Sequence, residues 1–214
     1  KAARKAIERA GIHKDEIDFI VLATLSPDYY FPGPGVLVQR DLEMPTVGAV
    51  DIRNQCSGFV YGISLADQYI KTGMYKNVLV IGSELHSKGL DMTTRGRAVS
   101  VIFGDGAGAV VLSREEDPQK GILSSHLHSE GQHAEELSLL APGMGGRWVI
   151  DILKDNDPED DSYYPIMNGQ FVFKNAVVRF SEVIMEGLKA NQLKPSDIDM
   201  LIPHQANLRI SQFI

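Results

Sequence analysis

The sequence predicts an α/β fold, because apolar runs of strand length alternate with segments of helical periodicity along the chain. A second observation is that a helix, a short polar turn and a buried strand occur near both ends, where residues 17–21 (IDFIV) match residues 198–202 (IDMLI). We interpret this match as an internal duplication, the alternative being a chance similarity between two helix-turn-strand units of like composition. One α/β half and the beginning of a second would then be present, and we expect the sequence to be a fragment.

The elements follow from local signals. Ala3, Ile7 and Ala10 share one face of an opening helix, and Gly11 ends it. Residues 17–23 form a nearly continuous apolar run, which is typical of a strand buried on both faces, and the Pro and Gly residues that follow predict a loop. The later predicted elements are a helix at about 36–43, a strand at 47–52, a long helix at 57–72, and strands at 77–82, 109–113 and 121–128.

The stretch from Glu130 to Pro165 differs from the rest, since it holds a glycine-rich run at 143–146 and an acidic tract at 155–161. We interpret it as an exposed excursion. The predicted organisation is an N-terminal half over residues 1–164, with the excursion at about 130–164, and the beginning of a C-terminal half over residues 165–214.

Composition excludes several classes of protein. The chain is 43% hydrophobic and carries a formal net charge of −7 without a basic cluster, which argues against nucleic-acid binding. It has neither a signal-peptide pattern nor an apolar run of roughly 18 to 20 residues, so we expect a cytoplasmic protein without membrane insertion. A single cysteine excludes an intramolecular disulfide and any multi-cysteine metal site.

Two further patterns are typical of ligand sites, but we do not expect either of them to bind a ligand. His126 and His128 alternate along a predicted strand and His133 lies in a loop, so these histidines lack fixed metal-binding geometry. The glycine-rich run at 104–108 precedes a predicted strand, whereas a phosphate-binding loop opens a helix. We therefore expect no metal, and tight backbone packing at 104–108.

Cys56 lies between the predicted strand at 47–52 and the predicted helix at 57–72. At a helix N-terminus, backbone N–H groups and the helix dipole favour a thiolate and lower the pKa from about 8.5. A cysteine in this position can equally be a small buried hydrophobic residue. Position alone leaves both interpretations open.

His204 follows the apolar segment 200–203, which we predict to be a strand, and precedes a helix. Active sites of α/β folds form at the C-terminal ends of strands, so Cys56 and His204 could converge. The alternative is an exposed loop histidine.

Four segments carry specific motifs: 51–59 (DIRNQCSGF), 101–108 (VIFGDGAG), 168–169 with 172–174, and 203–209 (PHQANLR). Together they resemble the initiating, type III β-ketoacyl-acyl-carrier-protein synthases of the thiolase superfamily, and the resemblance runs over essentially the whole chain. It implies a layered thiolase-like fold with duplicated halves, the second incomplete here. It further implies that the family's third catalytic residue, an asparagine, lies beyond Ile214, so that this chain alone could not complete condensation.

By this resemblance Cys56 is the acylated nucleophile, and His204 is one of two residues that bind the thioester carbonyl during malonyl decarboxylation. Phe31 matches an aromatic residue that crosses the dimer interface and closes the partner's acyl pocket. Phe103 matches an aromatic residue close to the cysteine, and His86 stands where many members place an apolar pocket residue.

The resemblance also implies further substrate-binding positions. Arg209 matches a residue near the pantetheine entrance, and either Arg95 or Arg97 would face the nucleotide. The remaining candidates come from one motif and are Asn168, Gly169 and Phe173.

The implied function is an acyltransferase that catalyses decarboxylative Claisen condensation of an acyl-CoA with malonyl-acyl-carrier protein, in fatty-acid or related biosynthesis. The expected partners are acyl-CoA, acyl carrier protein and a second copy of the chain, and no cofactor is needed because acyl-CoA is a substrate. Two alternatives stay open. One is a related acyltransferase that joins two acyl chains or acylates an oxygen or nitrogen nucleophile, and the other is a non-catalytic dimerisation or acyl-holding fragment.

Overall fold

A computed structural model of the chain describes residues 1–117, 120–143 and 162–214. The contacts divide the chain into two compact units: the first unit comprises Lys1–Leu85 and Asp105–Ser125, and the second comprises His86–Gly104 and His126–Ile214. The acidic tract at 155–161 and most of the expected excursion lie outside the described residues.

The first unit is built on a four-stranded sheet with the order β2-β1-β3-β4. Its middle strands, β1 and β3, are parallel to each other, β2 is parallel to β1, and β4 runs antiparallel to β3. The strands are β1 (Phe19–Ala23), β2 (Gly48–Ile52), β3 (Asn77–Leu85) and β4 (Asp105–Ser113). This mixed sheet confirms the predicted α/β class.

Helices cover both faces of the sheet's centre. They are α1 (Ala2–Ala10), α2 (Pro34–Asp41) and α3 (Gly58–Lys71). On one face Ile20 and Leu22 form a core with Ile7 of α1, and on the other Val21 and Ala66 belong to a second core beside α3. Burial on both faces explains the continuous apolar run of β1, since burying each large aliphatic side chain contributes about 1.5–3 kcal/mol.

The second unit contains mostly helices among its described residues. They are α4 (Arg97–Ser100), α5 (Gly169–Ala190) and α6 (Leu208–Phe213), and a two-stranded antiparallel ladder joins β5 (Leu137–Ser138) to β6 (Ile166–Met167). The Asn168 side chain caps α5 by accepting a hydrogen bond from the backbone N–H of Phe171 at 3.3 Å. Within the described ranges, no helix is long and apolar enough to cross a membrane.

Three local predictions were wrong. Residues 121–128 and 200–203 form no strand, because neither segment has a neighbouring strand among the described residues to complete a ladder. Met200 and Ile202 are instead 75% and 80% exposed. The run at 104–108 does enter a strand, but an added Cβ at Gly104, Gly106 or Gly108 would meet no atom within 4 Å, so tight packing does not explain these glycines.

Candidate active site

The first unit gathers several candidate residues at one edge of its sheet. The parallel register places Ala23 of β1 beside Ile52 of β2 and Gly82 of β3, so all three strands end at the same edge. From Ile52 the chain passes into a 3₁₀ turn, Gln55–Ser57, which leads directly into α3. Cys56 therefore lies at a strand end and before a helix, where the sequence places it.

A strained turn presents Cys56 to solvent. Gln55 has φ +46°, in the left-handed region that non-glycine residues rarely adopt, and such a conformation costs of order 1–3 kcal/mol. The turn is closed by the Ser57 hydroxyl, which donates to the Asn54 carbonyl at 3.1 Å. Gly58 then lets α3 approach β1, since a Cβ on it would lie 3.0 Å from the Cβ of Ala23.

The expectation of a lowered pKa for Cys56 was wrong. Although the residue is exposed, desolvation by surrounding protein atoms raises the pKa of the thiol; a backbone hydrogen bond opposes this, and the negative charge of Glu84 adds to it. The physical reason is that α3 begins only at Gly58, while Cys56 occupies the 3₁₀ turn before it. The resting thiol is thus held in its neutral form more strongly than a free cysteine.

A further polar residue at this edge, Glu84, was not predicted from the sequence. It is the penultimate residue of β3, after the apolar and buried run 78–81, and its carboxylate contacts the chain that leaves β1. The signal that could have found it is the one used for Cys56, a polar side chain at the C-terminal end of a parallel strand.

Phe31 lies on the loop between β1 and α2 and is 82% exposed, as the loop position predicts. Tyr29 and Tyr30 beside it are also exposed. The far end of this loop is held by Asp51, whose Oδ1 accepts the Gly35 N–H at 2.8 Å. The loop therefore exposes three neighbouring aromatic side chains, while a hydrogen bond fixes its end near α2.

The second unit brings two predicted pocket residues together. The rings of His86 and Phe103 pack edge to face with centroids 5.0 Å apart. Such a contact combines apolar burial with the polar edge of an imidazole.

The two candidate arginines differ in their surroundings. Arg95 Nε donates to Asp91 Oδ2 at 2.6 Å, and its guanidinium lies 5.4 Å from the centre of the Tyr164 ring. Hydrogen bonds from Thr93 and then from Arg95 lower the pKa of Asp91 to about 2. Both arginines are exposed, but Arg95 also borders a cleft of about 240 Å³, whereas Arg97, the first residue of α4, does not line it.

The remaining candidates surround α5 and α6. Asn168 caps α5 and Gly169 begins it, while the Phe173 ring packs edge to face on Phe213 of α6 at 5.8 Å. Arg209 lies in the first turn of α6, where its N–H is capped by Asn207. The last candidate, His204, is exposed in the irregular segment before α6. It belongs to the second unit, whereas Cys56 and Phe31 belong to the first.

Two of the histidines considered above as metal ligands contact a carboxylate. His126 Nδ1 lies 3.1 Å from Glu186 Oε1, and His128 Nε2 lies 2.6 Å from Glu186 Oε2. Hydrogen bonds from His128 and His126 lower the pKa of Glu186. No group of three or more His, Cys, Asp or Glu residues suited to a metal ion occurs in the part of the chain that the structure describes.

Comparison with known proteins supports the resemblance found in the motifs. The family model for 3-oxoacyl-[acyl-carrier-protein (ACP)] synthase III matches residues 50–131. The β-ketoacyl-[acyl-carrier-protein] synthase III of Aliivibrio fischeri is 47% identical over 209 residues, which are 98% of this chain and 61% of that protein. The synthase III of Rhodospirillum centenum is 45% identical over 212 residues, with the same shares covered.

Solved structures show the same fold. The crystal structure of 3-oxoacyl-[acyl-carrier-protein] synthase III from Aquifex aeolicus VF5 superposes with a TM-score of 0.85 at 39% identity, covering 99% of this chain and 61% of that one. The synthase III from Thermus thermophilus gives a TM-score of 0.85 at 32% identity, covering 100% and 62%. The chain thus spans about three fifths of the relatives that it matches.

Proposed function

We propose that the whole protein is a type III β-ketoacyl-acyl-carrier-protein synthase, because this chain is 47% identical to one such synthase over 98% of its length and superposes on another with a TM-score of 0.85. It would condense an acyl group from acyl-CoA with malonyl-acyl-carrier protein, in fatty-acid or related biosynthesis. The observation that carries the proposal is Cys56, held in a strained turn at a sheet edge inside the matched region.

In the first step the Cys56 sulfur attacks the thioester carbonyl of acyl-CoA. A new C–S bond forms to Cys56, the C–S bond to coenzyme A breaks, and coenzyme A leaves with the electron pair and takes up a proton. Because burial and Glu84 raise the pKa of the thiol, the proton of Cys56 must be removed as the attack proceeds. Thiol deprotonation is therefore part of the acylation barrier.

In the second step the malonyl group loses carbon dioxide. The breaking C–C bond leaves its electron pair as an enolate, and the ring N–H of His204 donates a hydrogen bond to the enolate oxygen. The enolate carbon then attacks the acyl carbonyl, and Cys56 leaves as a thiolate. No redox change occurs in either step.

Exposed aromatic residues support a dimer. Phe31 stands with Tyr29 and Tyr30 on a loop anchored by Asp51, and clustered exposed aromatic side chains mark protein contacts. We assign this tip to a homodimer interface in which Phe31 closes the acyl pocket of the second copy.

The cleft in the second unit supports Arg95 over Arg97 as the residue that faces the nucleotide. Arg95 borders this cleft, and Asp91 together with the Tyr164 ring fixes the direction of its guanidinium. A guanidinium held in this way can stack on a planar base or pair with a phosphate.

Product analysis tests the proposal. The whole protein is incubated with acyl-CoA and malonyl-acyl-carrier protein, and coenzyme A, carbon dioxide and carrier-bound product are quantified. We expect equal amounts of all three with the unaltered protein, and neither coenzyme A release nor condensation product with Cys56→Ala. Coenzyme A release without carbon dioxide, with an acylated oxygen or nitrogen acceptor, would replace the proposal by the first alternative, and a stable acyl-enzyme without product would replace it by the acyl-holding fragment.

A further inference from the structure

Glu84 connects the ends of two neighbouring strands at the edge where Cys56 lies. Its Oε1 accepts the backbone N–H of Leu25 at 2.9 Å, and its Oε2 accepts the Ser26 hydroxyl at 2.8 Å. The same Ser26 oxygen accepts the backbone N–H of Leu85 at 2.7 Å. One carboxylate therefore joins the chain leaving β1 to the end of β3.

The segment that Glu84 holds is the start of the Phe31 loop. At the other end of this loop, Asp51 accepts the Gly35 N–H, and its carboxylate occupies the space that a side chain at Gly33 would need. Two carboxylates from the strands on either side of β1 thus anchor the loop at both ends.

The two carboxylates act differently on Cys56. The negative charge of Glu84 opposes ionisation of the thiol, and Glu84 is the charged side chain that contributes to its raised pKa. Asp51 stands closer in sequence but makes no such contribution. The tethering of the loop and the charge beside the thiol can therefore be separated experimentally.

We propose that Glu84 is a positioning residue of this site: its carboxylate fixes the Leu25–Ser26 segment against the end of β3 and brings a negative charge to the sheet edge at which Cys56 lies. The inference rests on the proposed function, in which Cys56 is the nucleophile. Desolvation disfavours ionisation of the resting thiol and the charge of Glu84 adds to this effect, and a neutral thiol reacts less readily with oxidants than a thiolate does. Glu84 would then protect Cys56 between turnovers while holding the loop that carries Phe31.

Thiol alkylation against pH tests the charge. The whole protein is treated with iodoacetamide across a pH series, and mass spectrometry quantifies the modified peptide that contains Cys56. In Glu84→Gln we expect the rate profile to shift to lower pH, because a nearby negative charge is removed. The matched control is Asp51→Asn, which alters the other anchor of the same loop and should leave the profile in place. An unshifted Glu84→Gln profile, or equal shifts in both variants, would overturn the proposal.

Hydrogen exchange tests the tether. In Glu84→Ala we expect faster exchange of the backbone N–H of Leu25 and its neighbours up to Phe31, and in Glu84→Gln a smaller increase, because the amide oxygen can still accept the Leu25 N–H. Glu84→Asp retains the charge on a shorter side chain, so it should loosen the loop with little change in the alkylation profile; a profile that moves as far as in Glu84→Gln would contradict the inference. Unchanged exchange in Glu84→Ala would also overturn it.

Neither readout involves acyl-CoA, so the two proposals can fail separately. If Cys56 accepts no acyl group while Glu84→Gln still shifts the alkylation profile, the proposed function fails and the assignment of Glu84 stands. If Cys56 is acylated normally and Glu84→Gln leaves the alkylation profile unchanged, the proposed function stands and the assignment of Glu84 fails.

Discussion

The surroundings of Cys56 and of His204 differ in how much structure supports them. Cys56 follows an edge strand of a four-stranded sheet, in a turn closed by the Ser57 hydroxyl, at the sheet edge where a carboxylate joins two strand ends. His204 lies in an irregular segment whose apolar residues Met200 and Ile202 are exposed, and its nearest fixed point is α6. The geometry around the nucleophile is therefore built within the first unit, whereas the segment that carries His204 is irregular and exposed.

The largest expected effect follows from removing the sulfur of Cys56. Cys56→Ala should abolish acyl-enzyme formation, because no other side chain in the chain can form a thioester. Intact-mass spectrometry after incubation with acyl-CoA checks this. An adduct that persists in the variant would show that the nucleophile lies elsewhere in the protein.

His204→Ala should separate the two chemical steps, acylation of Cys56 and loss of carbon dioxide. Removing one hydrogen-bond donor from an oxyanion site typically lowers the rate by about 10²- to 10³-fold, so carbon dioxide release should fall by this order while acylation of Cys56 persists. His204→Gln, which keeps a donor, is the control and should retain more activity than the alanine variant. Loss of acylation in His204→Ala would show that the histidine also serves the first step.

Stability should also depend on the sheet that supports Cys56. Ile20 is 0% exposed at the centre of β1, so Ile20→Ala should lower the free energy of unfolding by about 2–5 kcal/mol. Val60 on α3 is 54% exposed, and Val60→Ala should change it by less than about 0.5 kcal/mol. Urea denaturation measures both. Equal losses would mean that the sheet contributes no more than the surface of α3.

The smallest expected effect concerns pH. The raised pKa of Cys56 should make its alkylation at neutral pH slower than that of a free thiol, and unfolding in urea should remove the difference. Ionisation is disfavoured in the folded state, so this group's contribution to stability is present below the unfolded pKa of about 8.5 and is lost as the pH rises through the higher folded value. A profile identical in folded and unfolded protein would contradict the desolvation of the thiol.

Sequence alone was sufficient where the signal is local. The apolar run of β1 predicts a strand buried on both faces, and the Pro- and Gly-rich loop predicts the exposure of Phe31. Residues 121–128 have strand composition too, but a strand also needs a partner, and composition does not identify one. The raised pKa of Cys56 was missed for a similar reason, because the protein atoms that desolvate the thiol, and the charge of Glu84 that adds to their effect, come from the tertiary fold.

The left-handed backbone of Gln55 also limits which amino acids position 55 tolerates. A β-branched residue there would add a steric clash to a conformation that already disfavours side chains, whereas Gly and Asn adopt it readily. In a saturation library at this position, we expect functional clones to be enriched in Gly and Asn and depleted of Val and Ile. Position 55 is therefore a poor place for conservative apolar variation, even though its side chain faces solvent.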